Sequence, residues 1–518
     1  MQELVVKKIR LSSGLLKLTV SGGADKPEVT LRPACKTAPA FPIMAERAGK
    51  KNRETIWILT LQAGTLPLTR GDWEFSFLQP LGAKIRQSIL LRGSSLVRES
   101  LLIFPMAGDG NRLILRVRPL TDYDTGAVRA KERLAFILAV LLRRIGIGRT
   151  ARVIFEKFCA QAQDNGYAFF CYCMQQASPE RKRHIYYILD RRMPAWKEVK
   201  AAWGRQVVPF MSLKHMLLMQ LAPLYIASES RYHGYLWQTR PNPVFRDIRR
   251  GSHRILFLQH GVTALKRVEG VFGVHGYNPM TWFAVTSPGE QEIVTRYLGY
   301  TKEQAPILGF VRWDDLKDRS DPSRPMILMM PTWRAWLESA DEETFRKSEY
   351  CQTYRSLLSY PELGDFLTRY GARLCFYIHP KLAGMLKSFA DVSRPGIELI
   401  PYGSRKLSDL IMECTCLVTD YSSVCWDACF LSRPVLFFQF DAQEYLACTG
   451  SYLDFRTELP GESARSIPEL LSLLEKTAAG QWKESPRASS AVSRMLPLKD
   501  RGNAERTAAF IISQEGFL

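Results

Sequence analysis

The sequence lacks the short motifs of several large enzyme classes. It contains neither a GxxxxGK(S/T) loop nor a GxGxxG segment after an apolar run, which argues against a P-loop NTPase and a usual dinucleotide-binding enzyme. It also lacks the G-x-S-x-G turn that carries the nucleophile of an esterase. Chemistry that uses a positioned general base and cationic side chains remains open.

Long apolar runs are missing as well. The longest spans residues 134–142, nine residues in all, whereas a helix that crosses a bilayer needs about 20. The N-terminus shows no basic region followed by an apolar core and a small-residue cleavage site. We therefore expect a cytoplasmic protein, or one that lies peripherally on the inner face of the cell membrane.

The eleven cysteines do not form a metal-binding pattern. The close pairs Cys171/Cys173 and Cys414/Cys416 lie within apolar runs and have no histidine at ligand spacing. Reduced, buried thiols are therefore favoured over a zinc site, and we expect neither a bound metal nor a cofactor.

Acidic residues are comparatively few. The chain has 51 of them against 71 lysines and arginines, which gives a formal net charge of +20. This balance points to an anionic partner: nucleic acid, an anionic membrane surface or a polyanionic substrate. The aromatic residues occur singly in core-like runs, with no RNP-type motif, zinc finger or basic block, so we expect no specific nucleic-acid partner.

The length of 518 residues predicts two to four domains, at about 100–200 residues each. Residues 1–118 contain short β-type runs separated by Gly, Pro, Asp and Asn turns, which predicts a small β-sandwich with an accessory or partner-binding role. The predicted strands are residues 4–6, 15–20, 56–61, 73–77 and 113–117.

From Ala127 the pattern becomes helical, with basic residues at both ends of an apolar centre. Such a helix is either the first core helix of the next domain or an amphipathic helix on an anionic membrane, and the sequence leaves both open. Beyond it, apolar runs alternate with helical segments, which predicts parallel sheets, and the run Ile307-Leu308 is one of the predicted strands. The fold class is therefore α/β, with two doubly wound domains (119–285 and 286–518) after the β-rich one.

Ligands of open α/β sheets bind beyond the carboxyl ends of the strands, so the residues after each apolar run are the candidates. Taken singly, a strand-end histidine is often a hydrogen-bonded structural residue, an arginine a solvated charge, and a serine a helix cap. Together they suit phosphate chemistry, in which cations and hydroxyls hold oxyanions and a histidine moves a proton. The five segments are Gln259-His260-Gly261 with Lys266, Gly309-Phe310-Val311-Arg312-Trp313-Asp314, Pro331-Thr332-Trp333-Arg334, His379-Pro380-Lys381 and Asp420-Tyr421-Ser422-Ser423.

These ordered motifs, over roughly residues 120–460, resemble the CDP-glycerol glycerophosphotransferase family, the teichoic acid polymerases and primases of Gram-positive cell walls. Residues 1–118 lie outside the resemblance. Besides the five segments, the matching positions are Glu156, Asp164-Asn165-Gly166, Ser212, Lys214-His215, Thr419, Asp441, Glu444-Tyr445, Gly450 and Asp454-Phe455.

The resemblance implies a GT-B architecture, in which two Rossmann-like domains face a cleft. The first (119–285) would serve the acceptor and the second (286–518) the donor. It implies transfer of glycerol phosphate or a related polyol phosphate from CDP-glycerol or CDP-ribitol to a hydroxyl of a lipid-linked or polymeric anionic acceptor, with release of CMP. A GT-B glycosyltransferase that uses a nucleotide sugar is the alternative.

The resemblance also implies roles for the candidate residues. His260 is the leading candidate for the base that deprotonates the acceptor, and His379 is the second catalytic candidate. The residues expected to bind substrate are Lys266, Arg312, Thr332, Arg334, Lys381, Asp420, Ser422 and Ser423. Asp420 is expected to position the donor or the loop rather than to act as a base.

The sequence departs from the family pattern at one segment. Where the family usually has Trp-His-Gly-Thr-Pro-Leu-Lys, this chain has Gln259 before the histidine and Val262-Thr263-Ala264 after the glycine. We therefore expect the acceptor side of the site to differ, and the motifs leave the donor polyol open.

Overall fold

A computed structural model of the protein describes residues 5–12, 15–22, 25–33, 41–51, 54–62, 71–77, 84–85, 96–107, 113–236, 253–276, 278–337, 340–377, 386–389, 391–392 and 394–516. The chain divides into two compact units. Unit 1 comprises Met1–Ala162, Cys173–Phe257 and Gly270–Thr281. Unit 2 comprises Gln163–Tyr172, Leu258–Glu269 and Trp282–Leu518.

The β-rich part of unit 1 forms one sheet, and the predicted two-sheet sandwich is wrong. Ten described strands follow the order β7-β1-β2-β5-β4-β3-β6-β10-β9-β8, and every pairing except β1 with β7 is antiparallel. They are β1 Val5–Ser12, β2 Leu15–Gly22, β3 Val29–Pro33, β4 Phe41–Lys51, β5 Glu54–Leu61, β6 Gly71–Phe77, β7 Lys84–Ile85, β8 Leu96–Arg98, β9 Leu101–Ala107 and β10 Leu113–Pro119.

Alternate residues of these strands build one core. In β5, Trp57, Leu59 and Leu61 are buried while the residues between them are partly exposed, as the two-residue period of a strand requires. They join Trp73 and Leu115 in a single hydrophobic cluster. The five predicted strands of this region are confirmed, with bounds that differ by a few residues.

The second part of unit 1 contains a parallel sheet whose strands are buried on both faces, as expected of α/β folds. Five strands follow the order β13-β12-β11-β14-β15. They are β11 Arg152–Phe155, β12 Ile185–Leu189, β13 Val207–Pro209, β14 Leu224–Ala227 and β15 Arg254–Phe257. The chain runs outward from β11 through β12 to β13 and from β14 to β15, so the topological switch point lies between β11 and β14. The helices from residue 126 to residue 272 are α1 Gly126–Arg144, α2 Asn165–Gln176, α3 Pro179–Lys182, α4 Trp196–Trp203, α5 Leu213–Leu221 and α6 Glu269–Phe272.

Helix α1 has two different apolar faces. Ala135 and Ala139 are buried on the face that packs on α5, so the core-helix interpretation is correct for that face. On the other face, Leu134, Ile137 and Leu141 are 47%, 58% and 52% exposed. None of the helices formed by the described residues is both long and apolar enough to cross a membrane.

Unit 2 is built around a second parallel sheet, with a hydrophobic cluster on each face. Its strands follow the order β19-β18-β17-β20-β21-β22, so its switch point lies between β17 and β20. The strands from residue 282 onward are β16 Trp282–Phe283, β17 Met326–Met330, β18 Arg373–Tyr377, β19 Ile397–Ile400, β20 Cys416–Thr419, β21 Val435–Phe438 and β22 Glu462–Ala464. The helices are α7 Pro288–Leu298, α8 Glu342–Lys347, α9 Glu349–Leu358, α10 Pro361–Arg369, α11 Leu407–Glu413, α12 Val424–Phe430, α13 Ala442–Cys448, α14 Ile467–Ala479, α15 Pro486–Met495 and α16 Asn503–Glu515.

One predicted strand of this region is wrong. Ile307 forms only an isolated bridge with Val285, although the run Ile307-Leu308 is as apolar as a strand. The next residue, Gly309, has a φ of +76°, and a Cβ there would lie 1.8 Å from Asn503 Oδ1. The chain therefore turns sharply against the start of α16 instead of extending into a sheet.

A buried histidine fixes the loop after β14 in unit 1. His215 has no exposed surface; its Nδ1 accepts the N–H of Met211 at 2.9 Å, and its Nε2 lies 2.9 Å from the carbonyl oxygen of Gly234. Because Nδ1 accepts a hydrogen bond, it carries no proton. The imidazole is therefore neutral, with its proton on Nε2. Burial lowers the pKa of His215 from 6.5 to about 3.

This buried imidazole makes the stability of unit 1 depend on pH. Between pH 6.5 and pH 3 the unfolded chain binds a proton that folded His215 does not, so stability falls as the pH falls, by up to about 1.4 kcal/mol per pH unit. In His215→Gln this contribution is absent. Thermal melting of both proteins should show the variant less stable at pH 7, with the difference shrinking by about 2.5 kcal/mol by pH 4.5. A difference that stays constant over this range would contradict the assignment.

Candidate active site

The candidate site lies at the carboxyl edge of the unit 2 sheet, at its switch point. The central strands β17 and β20 are parallel neighbours, and their last residues, Met330 and Thr419, are paired. The loops that follow are tied together, because the N–H of Thr332 donates to both oxygens of Asp420, at 2.8 and 3.1 Å. Two of the five predicted segments therefore meet at the place where open α/β sheets bind ligands.

Arg334 lies beneath these loops as a buried cation. It has no exposed surface; its guanidinium donates to Asp441 at 2.5 and 3.0 Å and to Asp420 at 2.8 Å. Burial alone would lower its pKa, but the two carboxylates outweigh burial and raise it. The rings of Tyr350, Tyr421 and Tyr445 also lie close to Arg334, with centroids 5.0, 4.9 and 5.7 Å from the guanidinium carbon.

The ion pairs of Arg334 engage two residues that the sequence predicted to bind substrate, Arg334 itself and Asp420. The donors of Arg334 are directed to carboxylates and to the carbonyl oxygen of Thr332, which accepts a bond of 2.7 Å. Asp420 also accepts the N–H of Tyr421 at 2.6 Å and has no exposed surface. Both side chains hold the loops in place, and neither has exposed surface.

The hydroxyl groups of the two loops are differently engaged. Ser422 Oγ accepts the N–H of Val424 at 3.3 Å, whereas Ser423, which occupies the N-cap position of α12, makes no side-chain capping bond. Thr332 Oγ1 is buried, and the described part of the chain offers it no hydrogen-bond partner. Because buried polar atoms are rarely left unpaired, Thr332 Oγ1 is a candidate ligand-binding group.

The segment after β15 brings His260 to the same place. His260 is exposed, and Gly261 packs directly on Ser423: a Cβ at Gly261 would lie 2.1 Å from Ser423 Oγ and 3.0 Å from Ser423 Cβ. Only a residue without a Cβ permits this approach. The predicted histidine and one of the predicted serines are therefore neighbours.

A buried carboxylate that the sequence did not single out fixes this segment. Glu290 accepts the N–H of Thr263 at 2.6 Å and the side-chain amide of Gln259 at 3.0 Å. The hydroxyl of Thr263 in turn donates to Gln259 Oε1 at 2.6 Å. Burial raises the pKa of Glu290, while these donors act to lower it. Gln259 and Thr263, which both depart from the family pattern, thus form one hydrogen-bonded cluster with Glu290. This cluster holds the backbone on both sides of His260.

Arg312 provides a second set of bonds that holds the His260 segment. Its guanidinium bonds to Asp164 at 3.2 Å, to the carbonyl oxygen of His260 at 3.2 Å and to both oxygens of Asp427. Asn165 accepts the N–H of Arg312 at 3.0 Å and donates to the carbonyl oxygen of Gln259 at 2.8 Å. Arg312 was predicted to bind substrate; in the structure two carboxylates engage it, and it orients the backbone of the candidate base.

The three remaining predicted residues are the basic or ionisable groups Lys266, His379 and Lys381. Lys266 is exposed, and its ammonium lies 5.5 Å from the centroid of the Trp333 ring, next to Thr332. His379 and Lys381 lie outside the described residues, just beyond the end of β18 at Tyr377.

The chain resembles known proteins over most of its length. The family model described as CDP-Glycerol:Poly(glycerophosphate) glycerophosphotransferase matches residues 141–513. The minor teichoic acid biosynthesis protein GgaB of Bacillus subtilis (strain 168) is 25% identical over 376 residues, which cover 68% of this chain and 39% of that protein. The teichoic acid poly(glycerol phosphate) polymerase of the same organism is 25% identical over 443 residues, covering 77% of this chain and 53% of the relative. The chain thus spans less than two thirds of the length of either relative.

The solved structure of the wall teichoic acid polymerase TagF matches this fold. It aligns with a TM-score of 0.53 and 14% identity, covering 74% of this chain and 98% of that chain. This likeness confirms the fold class predicted from the sequence, a GT-B-like α/β protein with two Rossmann-like sheets preceded by a β-rich region.

The contact between Gly261 and Ser423 gives a stability test of the site. Gly261→Ala should destabilise the protein by about 1–3 kcal/mol, because its Cβ would overlap Ser423 Oγ. Ser423→Ala in the same background should recover only part of the loss, because Ser423 Cβ remains at 3.0 Å, and Ser423→Gly should recover more. Additive effects of the paired substitutions in chemical denaturation would show that the two residues do not touch.

Proposed function

Because the chain belongs to the CDP-glycerol:poly(glycerophosphate) glycerophosphotransferase family, we propose that it transfers a polyol phosphate from a CDP-activated donor to an acceptor hydroxyl. The donor is CDP-glycerol or CDP-ribitol, the acceptor is a lipid-linked or polymeric anionic chain of the teichoic acid type, and the other product is CMP. The observation that carries this proposal is the exposed His260 beside Ser423, at the switch point of a sheet.

In the proposed reaction His260 acts as the general base. Its imidazole accepts the proton of the acceptor hydroxyl as the acceptor oxygen forms a bond to the phosphorus that carries the polyol. The bond from that phosphorus to the bridging oxygen breaks, and CMP leaves with the electron pair. His260 can act while its backbone is held by Arg312 and by the Gln259–Glu290 pair.

The donor pyrophosphate is proposed to lie against the loops after β17 and β20. The hydroxyls of Thr332 and Ser423 would donate to its non-bridging oxygens, and the exposed ammonium of Lys266 would neutralise part of its charge. His379 and Lys381 are proposed to contact the same phosphates. Arg334 and Asp420 are proposed to support these loops without touching the donor.

A donor screen tests this function. Purified protein with an acceptor should release CMP from CDP-glycerol or CDP-ribitol, and His260→Ala should lower kcat by about 10²–10⁴-fold through loss of the base. His184→Ala is the matched control and should leave the rate unchanged. His184 is also exposed, but it precedes β12 and so lies at the amino edge of the unit 1 sheet, not at a carboxyl edge. Turnover of nucleotide sugars instead of CDP-polyols would favour the glycosyltransferase alternative, and an undiminished rate in His260→Ala would remove His260 from its role.

We also propose that unit 1 binds an anionic membrane surface through the exposed face of α1. Leu134, Ile137 and Leu141 recur at helical spacing on that face, and the exposed side chains of Arg133 and Arg144 flank them. An apolar stripe bordered by arginines is the pattern of a helix that lies in the headgroup region. A lipid-linked acceptor would then be delivered at the same surface.

Vesicle sedimentation tests the membrane proposal. The triple variant Leu134→Ser, Ile137→Ser, Leu141→Ser should bind phosphatidylglycerol vesicles at low salt at least roughly tenfold more weakly than wild type, with unchanged melting because all three side chains are exposed. Val97→Ser, at an exposed apolar position of β8, serves as the control and should bind like wild type. Wild-type protein that does not sediment, or a triple variant that sediments equally well, would contradict the proposal.

A further inference from the structure

A second polar cluster lies at the carboxyl edge of the unit 1 sheet, at its switch point. The central neighbours β11 and β14 are each followed by a buried carboxylate: Glu156 comes directly after β11 and is 1% exposed, and Glu229 follows β14 by two residues and is 6% exposed. This is the position at which open α/β sheets bind ligands. The mechanism proposed for unit 2 uses none of these residues.

The loop after β11 contains a phenylalanine, Phe158, whose backbone conformation is unfavourable. Phe158 and Cys159 have φ angles of +54° and +52°, a region that costs an L-residue about 1–3 kcal/mol. Cys159 is buried, which gives it a packing role, but the Phe158 ring is 58% exposed. Burial of the ring therefore does not offset the backbone strain. The position of an exposed aromatic ring at this edge of the sheet calls for another explanation.

The strained loop is fastened to the loop after β14. The N–H of Phe158 donates to His233 Nδ1 at 3.3 Å, and the two rings lie 4.2 Å apart between centroids. Since Nδ1 accepts, neutral His233 carries its proton on Nε2, which lies 3.7 Å from Glu229 Oε2. The neighbouring Gly234 is held by the buried His215. The aromatic ring, the imidazole and the carboxylate are thus pre-positioned together.

The charges of the cluster limit the ligand that it fits. Carboxylates at Glu156 and Glu229 disfavour a compact anion but accept hydrogen bonds from hydroxyl groups. Lys157, exposed, and Arg231 adjoin the same two loops and can neutralise a phosphodiester. An exposed ring offers a flat surface to the C–H groups of a carbon chain. A chain that alternates hydroxyl-bearing carbons with phosphodiesters satisfies all three features.

We infer that this cluster is a binding subsite for the poly(polyol phosphate) acceptor. Phe158 packs against the polyol carbons, Glu229 and His233 bond its hydroxyls, and Lys157 and Arg231 hold the adjoining phosphodiesters. This inference rests on the proposed function and deepens it, because it assigns acceptor recognition to residues of unit 1.

Kinetics with two substitutions at Phe158 test the subsite. Phe158→Gly and Phe158→Asn remove the ring and suit a positive φ, so neither should lower the melting temperature. Both should raise the KM for a glycerol phosphate oligomer roughly tenfold and leave the KM for CDP-glycerol unchanged. Lys157→Ala should act in the same direction, and Lys197→Ala, an exposed lysine on α4, is its control. Unchanged oligomer KM, or equal increases in both KM values, would overturn the assignment.

Calorimetry separates this inference from the proposed function. Binding of the same oligomer is measured in the absence of any CDP-linked donor, so its result does not depend on turnover. Weaker binding by both Phe158 variants than by wild type supports the subsite even if CDP-polyols are not substrates. Equal affinities for wild type and both variants, or no binding by wild type, would overturn it even if CMP is released normally.

Discussion

The ion cluster of Arg334 with Asp420 and Asp441 is the interaction on which the candidate site depends. It joins the segments after three neighbouring strands, β17, β20 and β21, through bonds of 2.5 to 3.0 Å. Removing three charges from water is costly, and the cost is offset only while every partner is present; loss of one partner of such a cluster costs about 3–5 kcal/mol. The side-chain amide of Gln439 adds a bond of 3.0 Å to the carbonyl oxygen of Asp420. The positions of Thr332 and Ser423 follow from this cluster, because their loops begin at it.

A second cation serves the same purpose on the other side of the site. Arg312 is shared between Asp164 and Asp427, and its bond to the carbonyl oxygen of His260 fixes the segment that carries the exposed imidazole. Both arginines are therefore parts of a hydrogen-bonded frame, whereas the groups that we propose contact the phosphates are hydroxyls, an imidazole and a lysine. A frame of this kind keeps the ligand-binding groups in place before the ligand arrives, which is what electrostatic catalysis requires.

The sequence predicts the sheets better than the roles of charged side chains. The runs that became β11, β12, β14, β15, β17, β18, β20 and β21 are short, apolar and β-branched or aromatic, so they are recognisable, and parallel pairing places the residues after them at one edge. Thr332 and Asp420 could therefore be predicted as neighbours, because β17 and β20 pair in one sheet, whereas His260 and Ser423 follow strands of different sheets. The burial of Arg334 could not, because its partner Asp441 is 107 residues away in the chain and nothing in the local pattern marks the pair. Glu290 was missed for the same reason, and the strain at Phe158 appears only in the backbone.

The most direct test is hydrogen exchange of the full chain with and without CDP-glycerol. If the donor lies at the switch point of the unit 2 sheet, its binding should slow exchange in peptides covering residues 258–266, 331–334 and 420–426, and leave residues 156–159 of unit 1 unchanged. Binding of CDP-glycerol with no protection in those three segments of unit 2 would contradict the placement of the donor site.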